Sequence, residues 1–495
     1  DHRRTSAKAK QTFVMGDASE QRHVAIIGGG ISGLSAAYTL GRNPRITVDL
    51  FEKSKRVGGI VTSESDNGFV FELGPQSMQS KHDEVEDLIV ELELDRRRVY
   101  RTDKKLKMYI VRNGKPVEFA PSPRGLFSTK LLSTKAKLGL LFEPFRGKTK
   151  AFDMNVHEFS TKRFGKEITD YLVSPMLAGT NGGSTKVLSA KHALSSAWQA
   201  EQRRGSVLLG LFRGQKRGKF PSKQLRTTFS FQEGLEELPR ALAAKARAKI
   251  VTGKEINKIC RRSDGKWDIG QGRAYDAVLT TMPAYALQNI HTCSNRPLRE
   301  LFNLLSSISY SAISILFLGY KSEKAKEQLS GFGCLAPPRE KRAVLGTVFT
   351  SANFQNRNPP DGFGFNVFLG GGDNTKQANL SFAEATRVAK KEIQKLFGIS
   401  GEPVTKSYKQ WLRAIPQYEV GYSVYLDAMV NGEEKFPGLF LAGNYRDVRV
   451  VESNKFNEEA LKVRDLFVQQ GIAFPDAVRS GIIAANRMEK FLVLK

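Results

Sequence analysis

Three glycines near the start of the chain have the spacing of a phosphate-binding turn. An apolar segment runs directly into Gly28-x-Gly30-x-x-Gly33, and an alanine-rich segment follows. Gly28 permits a tight turn, Gly30 lets backbone approach a pyrophosphate, and Gly33 lets a helix pack closely on the preceding strand. The amino terminus of that helix would offer free N–H groups and the positive end of its dipole to phosphates. This pattern favours the binding of a dinucleotide.

An acidic residue stands where such a fold presents it to a ribose. A second apolar segment, 46–51, ends at Glu52, whose carboxylate can accept hydrogen bonds from ribose hydroxyls. The strand, glycine turn, helix, second strand and acid occur in this order, which a purely structural turn would not need. We therefore expect a Rossmann-like nucleotide-binding domain.

The residues after Glu52 distinguish a flavin from a nicotinamide cofactor. Arg56-x-Gly58-Gly59 lies immediately behind the acidic strand end. This arrangement resembles the second signature of the FAD-dependent amine oxidases and their relatives. The resemblance implies that the backbone of this turn and Arg56 meet the flavin side of the cofactor, and it favours FAD over NAD.

Composition agrees with a large enzyme. A chain of 495 residues, 40% of them hydrophobic, can bury an extensive core and should form two or three domains. The three cysteines, Cys260, Cys293 and Cys334, are odd in number and widely spaced, so we expect neither a disulfide framework nor a metal site. No apolar run reaches 18 residues, so no membrane-spanning helix is expected.

The formal net charge of +27 is concentrated in one part of the chain. Residues 121–220 contain 18 Lys or Arg against 6 Asp or Glu, a net +12, and apolar patches such as 138–142 lie among them. This pattern suits a protein lying on an anionic membrane surface, and it would also attract an acidic substrate. A solvated basic face over an ordinary core is the alternative. Nucleic acid is the least favoured partner because no binding motif accompanies the charge.

Six further segments carry a more specific resemblance, to the protoporphyrinogen oxidases of late tetrapyrrole synthesis. The similarity covers nearly all of residues 23–447 and then 471–488. The segments, in the order in which that family has them, are 174–183, 228–231, 331–337, 345–351, 368–371 and 441–444.

The resemblance implies a reaction and its partners. Protoporphyrinogen IX would lose hydride from a bridging carbon to flavin N5, repeatedly, until six electrons have left and protoporphyrin IX is formed. Dioxygen would then take the electrons from the reduced flavin, giving hydrogen peroxide. The resemblance names no catalytic side chain. It implies haem or chlorophyll synthesis and a monotopic protein on a chloroplast or mitochondrial membrane, and a homodimer is left open.

The resemblance also implies a substrate slot. Leu335, Val348 and Phe368 match the apolar slot residues of the family, and Phe368 could stack on a pyrrole. Gly179 matches a glycine whose backbone approaches the macrocycle beside the flavin. The cofactor-binding residues implied by the same resemblance are Gly28, Gly30, Gly33, Glu52, Arg56, Gly58, Gly59, Glu255 (through its backbone, at the adenine), Trp411, Gly443 and Asn444.

Two departures from the family pattern affect these expectations. Met108 stands where an arginine usually holds a substrate propionate, so Lys105 or Arg112 become the candidate anchors, and Arg112 would share the strand face of Met108. Residues 448–470 form an insertion between the Gly443 turn and the last helix. Both motivate an alternative, a non-catalytic tetrapyrrole-binding relative. Another FAD-dependent amine oxidase or a desaturase-type oxidoreductase is the second alternative, and a preference for protoporphyrinogen or coproporphyrinogen stays open.

The expected fold class is α/β and α+β, in three interleaved regions behind a basic N-terminal arm. The arm is either a targeting remnant or disordered. The three regions are an FAD-binding domain (23–80, 229–290 and 436–495), a mixed-sheet substrate-binding domain (81–120 and 291–435) and a helical, basic membrane-docking domain (121–228); the arm is 1–22.

Overall fold

A computed structural model describes most of the chain. The described residues are 21–79, 82–101, 107–213, 227–321, 329–446 and 472–493. The 448–470 insertion, Lys105 and nearly all of the N-terminal arm lie outside them.

Helices and strands are interspersed along the described part of the chain. The strands are β1 Arg22–Ile27, β2 Ile46–Phe51, β3 Ser63–Asp66, β4 Phe69–Glu72, β5 Met78–Gln79, β6 Arg98–Tyr100, β7 Met108–Arg112, β8 Lys115–Phe119, β9 Thr228–Phe231, β10 Lys249–Val251, β11 Cys260–Arg261, β12 Trp267–Asp268, β13 Ala274–Tyr275, β14 Ala277–Thr280, β15 Tyr310–Lys321, β16 Gly333–Leu335, β17 Gly346–Phe349, β18 Gly362–Gly370, β19 Thr405–Pro416 and β20 Leu439–Leu441. The α-helices are α1 Ile31–Leu40, α2 Asp83–Glu91, α3 Pro123–Ser128, α4 Thr134–Leu141, α5 Val156–Phe164, α6 Lys166–Ile168, α7 Ser174–Asn181, α8 Ala190–Ala193, α9 Ser195–Arg204, α10 Val207–Arg213, α11 Glu237–Lys245, α12 Arg296–Ser306, α13 Thr350–Asn353, α14 Phe382–Phe397, α15 Ser423–Lys435 and α16 Phe474–Val493.

A five-stranded parallel sheet forms the nucleotide-binding region, in the order β10-β2-β1-β14-β20. Helices cover both faces of such a sheet, so its strands are apolar almost throughout, as β1 and β14 are. α16 packs on α1, where a Cβ on Gly481 would lie 2.0 Å from the carbonyl oxygen of Ser32. The predicted Rossmann-like arrangement is therefore present, and the C-terminal helix returns to the first one.

A seven-stranded mixed sheet forms the second region, in the order β19-β15-β18-β17-β16-β7-β8. One face packs on the amphipathic helix α14, whose Ala385, Ala389 and Ile393 are buried against it. The other face turns toward β4, where the ring of Phe71 stacks on that of Phe317 with centroids 3.9 Å apart. This second face therefore looks toward the nucleotide-binding region.

Helices α3 to α10 build the third region around a core of their own. Phe159, Phe164 and Leu131 are buried in this core and cannot contact a membrane. The fully buried guanidinium of Arg163 pairs with Glu143 and Glu201 inside it. The helical character expected after residue 121 is confirmed as far as Arg213.

The cysteine expectation is wrong for one pair. Cys260 and Cys293 form a disulfide across 33 residues of chain, while Cys334 is a buried free thiol. After β11 the chain passes through three short strands and returns, and an isolated parallel bridge joins Lys258 to His291. Wide spacing in sequence thus says nothing about distance here, because this return places the two cysteines side by side.

Candidate active site

The glycine turn between β1 and α1 has a crowded side and an open side. A Cβ on Gly33 would lie 1.9 Å from the carbonyl oxygen of Gly28, so only glycine lets α1 pack this closely. Gly28 itself has φ +112°. A Cβ on Gly30, in contrast, would meet nothing within 4 Å. Gly30 is also the N-cap of α1 and lacks a side-chain capping bond, so the open side is a cradle that a pyrophosphate would fill.

Glu52 lies beside this turn at the end of β2, as predicted. One carboxylate oxygen accepts the Gly29 N–H at 2.6 Å, and the other accepts the Ser54 N–H at 2.7 Å. The carboxylate thereby holds the glycine turn and the following segment together. Its reach to a ribose stays a prediction.

The second glycine motif lies directly against the first. The Gly58 N–H donates to the carbonyl oxygen of Gly29 at 2.8 Å, and a Cβ on Gly59 would come within 3.3 Å of the Gly30 Cα. The Arg56 guanidinium donates to carbonyl oxygens within the 56–62 turn. Arg56 therefore braces the turn, a role in addition to the contact that the resemblance implied.

The C-terminal motif closes the same edge of the parallel sheet. Gly443, with φ +134°, follows β20 and donates its N–H to Ser480 Oγ at 3.0 Å. The Asn444 carbonyl oxygen accepts the Tyr418 hydroxyl at 2.9 Å. Glu255 is exposed and pairs with Lys53 at 2.7 Å. The carboxyl ends of parallel strands are where such folds bind dinucleotides, so this edge is the candidate cofactor site.

The predicted slot residues lie together on the second face of the mixed sheet. Strand register places Leu335, Gly346 and Phe368 in one row, with Val348 in the next. Leu335, Val348 and Phe368 are only half-buried although their strands are central in the sheet. The exposed Gly179 near the end of α7 faces them, and a Cβ there would lie 2.8 Å from Leu335 Cδ2. At Gly179, α7 thus packs directly on the sheet beside these half-buried residues.

Hydrogen bonds join this face to the flavin motifs. Trp411 Nε1 donates to the Leu73 carbonyl oxygen at 2.7 Å, and Asn366 Nδ2 donates to that of Glu72 at 2.8 Å. A Cβ on Gly74 would lie 2.0 Å from the Ile60 carbonyl oxygen, next to Gly59. The 72–74 segment therefore packs between the slot and the glycine turns. Trp411 connects the two regions, and its contact with a cofactor stays a prediction.

Comparison with known proteins agrees with this geometry. The flavin containing amine oxidoreductase family matches residues 31–452. The chain belongs to this family. Among its relatives, protoporphyrinogen oxidase 2 of Arabidopsis thaliana is 32% identical over 464 residues, covering 87% of this chain and 91% of that protein. Coproporphyrinogen III oxidase of Bacillus subtilis (strain 168) is 24% identical over 449 residues, covering 86% and 93%.

A solved structure assigned to protoporphyrinogen oxidase from Exiguobacterium sp. 255-15 has the same fold. Its TM-score is 0.75 at 21% identity, and the match covers 95% of this chain and 99% of that one. The resemblance inferred from the motifs is confirmed. As a flavin containing amine oxidoreductase, the protein is an FAD-dependent enzyme, and the open cradle at Gly30 fits the pyrophosphate of that cofactor.

A buried ion pair behind the slot was missed by the sequence reasoning. Glu72 is bonded to Ser63 Oγ at 2.6 Å and to the Leu235 N–H at 2.9 Å, and Arg357 lies 3.7 Å away. Burial raises the pKa of Glu72 to about 7, against the opposing effect of Arg357. No local signal could have indicated this pair, since its members lie 285 residues apart and each follows an ordinary turn or strand pattern.

The candidate propionate anchors have a mixed outcome. Arg112 lies on the slot face of β7, because Ile110 two residues earlier pairs with Leu335. Its guanidinium, however, bonds to Glu167 and to the Leu131 carbonyl oxygen. Met108 lies on the same face and contributes apolar surface. A propionate would therefore have to compete with Glu167 for Arg112.

Proposed function

We propose that this enzyme oxidises protoporphyrinogen IX to protoporphyrin IX, passing electrons to dioxygen and forming hydrogen peroxide, within haem or chlorophyll synthesis. The observation that carries the proposal is the meeting of the exposed Gly179 with the half-buried Leu335–Phe368 row, which is joined through 72–74 to the flavin motifs. The name of the Arabidopsis relative supports the substrate. The Bacillus relative makes coproporphyrinogen the competing substrate.

Three properties of the slot suit a flexible, reduced macrocycle. Phe368 offers a ring face for stacking on a pyrrole. Leu335 and Val348 supply apolar walls that would exclude water from the reacting carbon. Gly179 has no side chain, so α7 approaches Leu335 closely at this point. When bound, FAD supplies the two-electron acceptor, so these residues only have to place the substrate and keep it dry.

The cofactor would be held mainly by backbone. The proposal assigns the pyrophosphate to the open cradle at Gly30 and the amino terminus of α1, and a ribose to Glu52. The apposed turn at Gly58 and Gly59 and the turn at Gly443 would approach the flavin and the pyrophosphate. We propose that Arg112 orients one propionate, in exchange with Glu167.

We also propose that one surface of the helical region docks on an organellar membrane. Leu138 and Leu141 of α4 and Phe142, which caps its carboxyl end, are all exposed. Phe145 and Phe152 expose 83% and 78% of their surface. Such a set of large apolar side chains on one surface indicates an interaction site. The exposed Lys135, Lys148 and Lys150 lie beside them in sequence, which suits anionic lipid. In the described part of the chain no helix could cross a bilayer.

The proposal is tested by aerobic turnover of the FAD-loaded protein with protoporphyrinogen IX and, separately, coproporphyrinogen III. We expect porphyrin fluorescence to rise above the autoxidation blank with protoporphyrinogen as the preferred substrate. Phe368→Ala should lower turnover or affinity with an unchanged flavin spectrum, and Phe382→Ala, which removes an exposed ring on α14, is the matched control. Bound flavin with no turnover of either porphyrinogen would overturn the proposal.

A further inference from the structure

Three metal-ligand side chains come together on the side of the nucleotide-binding region, outside the flavin site. They are Cys260, His291 and Cys293, and their Sγ and Nδ1 atoms all lie within 4.8 Å of one another. Cys293 Sγ is 3.8 Å from His291 Nδ1. Cys260 is buried, whereas His291 and Cys293 are exposed. The group has one anchored ligand and two that solvent can reach.

The backbone holds these three residues in place from both sides. The His291 N–H donates to the Asn257 carbonyl oxygen at 2.8 Å, and the Ile259 N–H donates to that of His291 at 3.0 Å. Cys293 has a left-handed backbone with φ +46°. The nearby cation, Lys258, is paired with Asp268 at 2.7 Å, so its charge is compensated. Opening the disulfide would therefore leave the three ligand atoms close together.

We propose that Cys260, His291 and Cys293 form a redox-gated site: a disulfide when oxidised, and a Cys2His site for a thiophilic divalent cation such as Zn²⁺ when reduced. Thiolate and imidazole are the ligands that Zn²⁺ prefers, and its sulfur ligands lie at about 2.3 Å. To bind one ion, the Sγ atoms of Cys260 and Cys293 need only move apart from their disulfide-bonded positions. The fourth coordination position faces solvent, because His291 and Cys293 are exposed.

The chemistry balances in two steps. A dithiol reductant donates two electrons and two protons, so that the Cys260–Cys293 bond breaks to two thiols and the dithiol becomes a disulfide. Zn²⁺ then replaces the two thiol protons, which leave to solvent, and binds the neutral imidazole. In the reverse direction a disulfide oxidant takes two electrons from the two thiolates and two protons from solvent and becomes a dithiol, while the Cys260–Cys293 bond re-forms and Zn²⁺ leaves. The site is thus open to metal in only one redox state.

The experiment compares the FAD-loaded protein in its oxidised and dithiol-reduced states. Each sample is desalted under nitrogen, incubated with Zn²⁺, desalted again and analysed for zinc per chain. We expect about one zinc in the reduced protein above the oxidised level, loss of this zinc in Cys293→Ser, and at least about tenfold weaker binding in His291→Ala. Cys334→Ala and His157→Ala, which remove a thiol and an imidazole elsewhere, should keep it.

Equal zinc in the two redox states, or an undiminished level in Cys293→Ser, would overturn the proposal. A thiol count tests the gate independently of metal. Alkylation of the denatured, unreduced protein should label Cys334 alone, and labelling of all three cysteines after oxidation would also overturn it. Neither readout depends on turnover, so the result stands apart from the proposed function.

Discussion

At the scale of single residues, two glycines of one turn have opposite structural demands. Gly33 is required by packing, because its hydrogen faces the Gly28 carbonyl oxygen, whereas Gly30 faces open space. A shared motif therefore combines one position that serves the fold with one that serves the ligand. The difference between them can be measured, since folding and cofactor retention are separate properties.

We expect Gly33→Ala to destabilise the fold and Gly30→Ala to spare it. The added methyl at Gly33 would force α1 away from β1 and cost about 3 kcal/mol. The methyl at Gly30 should change the free energy of unfolding by less than about 0.5 kcal/mol but weaken FAD binding. Thermal melting and the flavin-to-protein absorbance ratio measure the two effects. A Gly30→Ala protein that retains FAD as wild type does would contradict the assignment of the cradle.

Glu72 gives a pH dependence of stability with a definite sign. Its pKa is about 7 in the folded protein against 4.5 as the ordinary value, so between these values the folded state keeps a proton that the unfolded chain has released. The contribution of Glu72 to stability is therefore complete below about pH 4.5 and is lost as the pH rises through 7, by at most about 3 kcal/mol.

We expect the stability of the wild type relative to Glu72→Gln to fall between pH 5 and pH 8. Thermal melts of the FAD-loaded proteins across this range provide the measurement. Glu300→Gln, which alters an exposed glutamate on α12, should show no such trend relative to wild type. A difference between wild type and Glu72→Gln that does not change with pH would show that Glu72 is ionised throughout the range.

At the scale of elements, the slot depends on how closely α7 approaches β16. A Cβ added to Gly179 would lie 2.8 Å from Leu335 Cδ2, so it would overlap the space that the Leu335 side chain now fills. Alternate residues of β16, β17 and β18 form one side of the slot, and α7 forms the other. Neither element alone forms a binding site.

We expect Gly179→Ala to lower kcat/KM for the porphyrinogen by about tenfold or more, because one added methyl narrows a fitted apolar slot. The double variant Gly179→Ala with Leu335→Ala should recover part of this loss, since it removes the opposing side chain. Gly147→Ala, at a glycine whose Cβ would meet nothing, is the control. Steady-state kinetics with unchanged flavin content decide the outcome, and strictly additive losses would place the slot elsewhere.

At the scale of the whole molecule, the excess positive charge and the exposed apolar side chains share the helical region. Buried Phe159 and Phe164 belong to its core, whereas Phe145 and Phe152 have no apolar cover. The structure thus shows which apolar residues of this basic region lie on its surface. It also separates the surface from the residues that keep the region folded.

We expect Phe145→Asp with Phe152→Asp to lower binding to anionic vesicles by at least about tenfold, because two exposed rings lose their apolar contact with lipid. Flotation with phosphatidylglycerol-containing vesicles is the measurement. Binding should also weaken at high salt. The control is Val424→Asp, at an exposed apolar position on α15. Equal flotation of the two variants would show that the 138–152 segment is not the docking surface.

The sequence by itself determined the features whose physics is local. Glycine spacing and the acid at the end of β2 depend on neighbours along the chain, so the nucleotide-binding turn, the family and the cofactor followed from them. Residues 448–470, the largest departure from the family, lie outside the described part of the chain.

Tertiary structure alone decided which distant side chains meet. It joins Cys260 to Cys293 in a disulfide, places Arg357 beside Glu72, and pairs Arg112 with Glu167 in a salt bridge. It also sorted the apolar residues of the helical region into core and surface. These outcomes depend on how chain segments far apart in sequence return to one another. Periodicity along a single strand or helix holds no information about that return, because it reports which face is apolar and not what covers it.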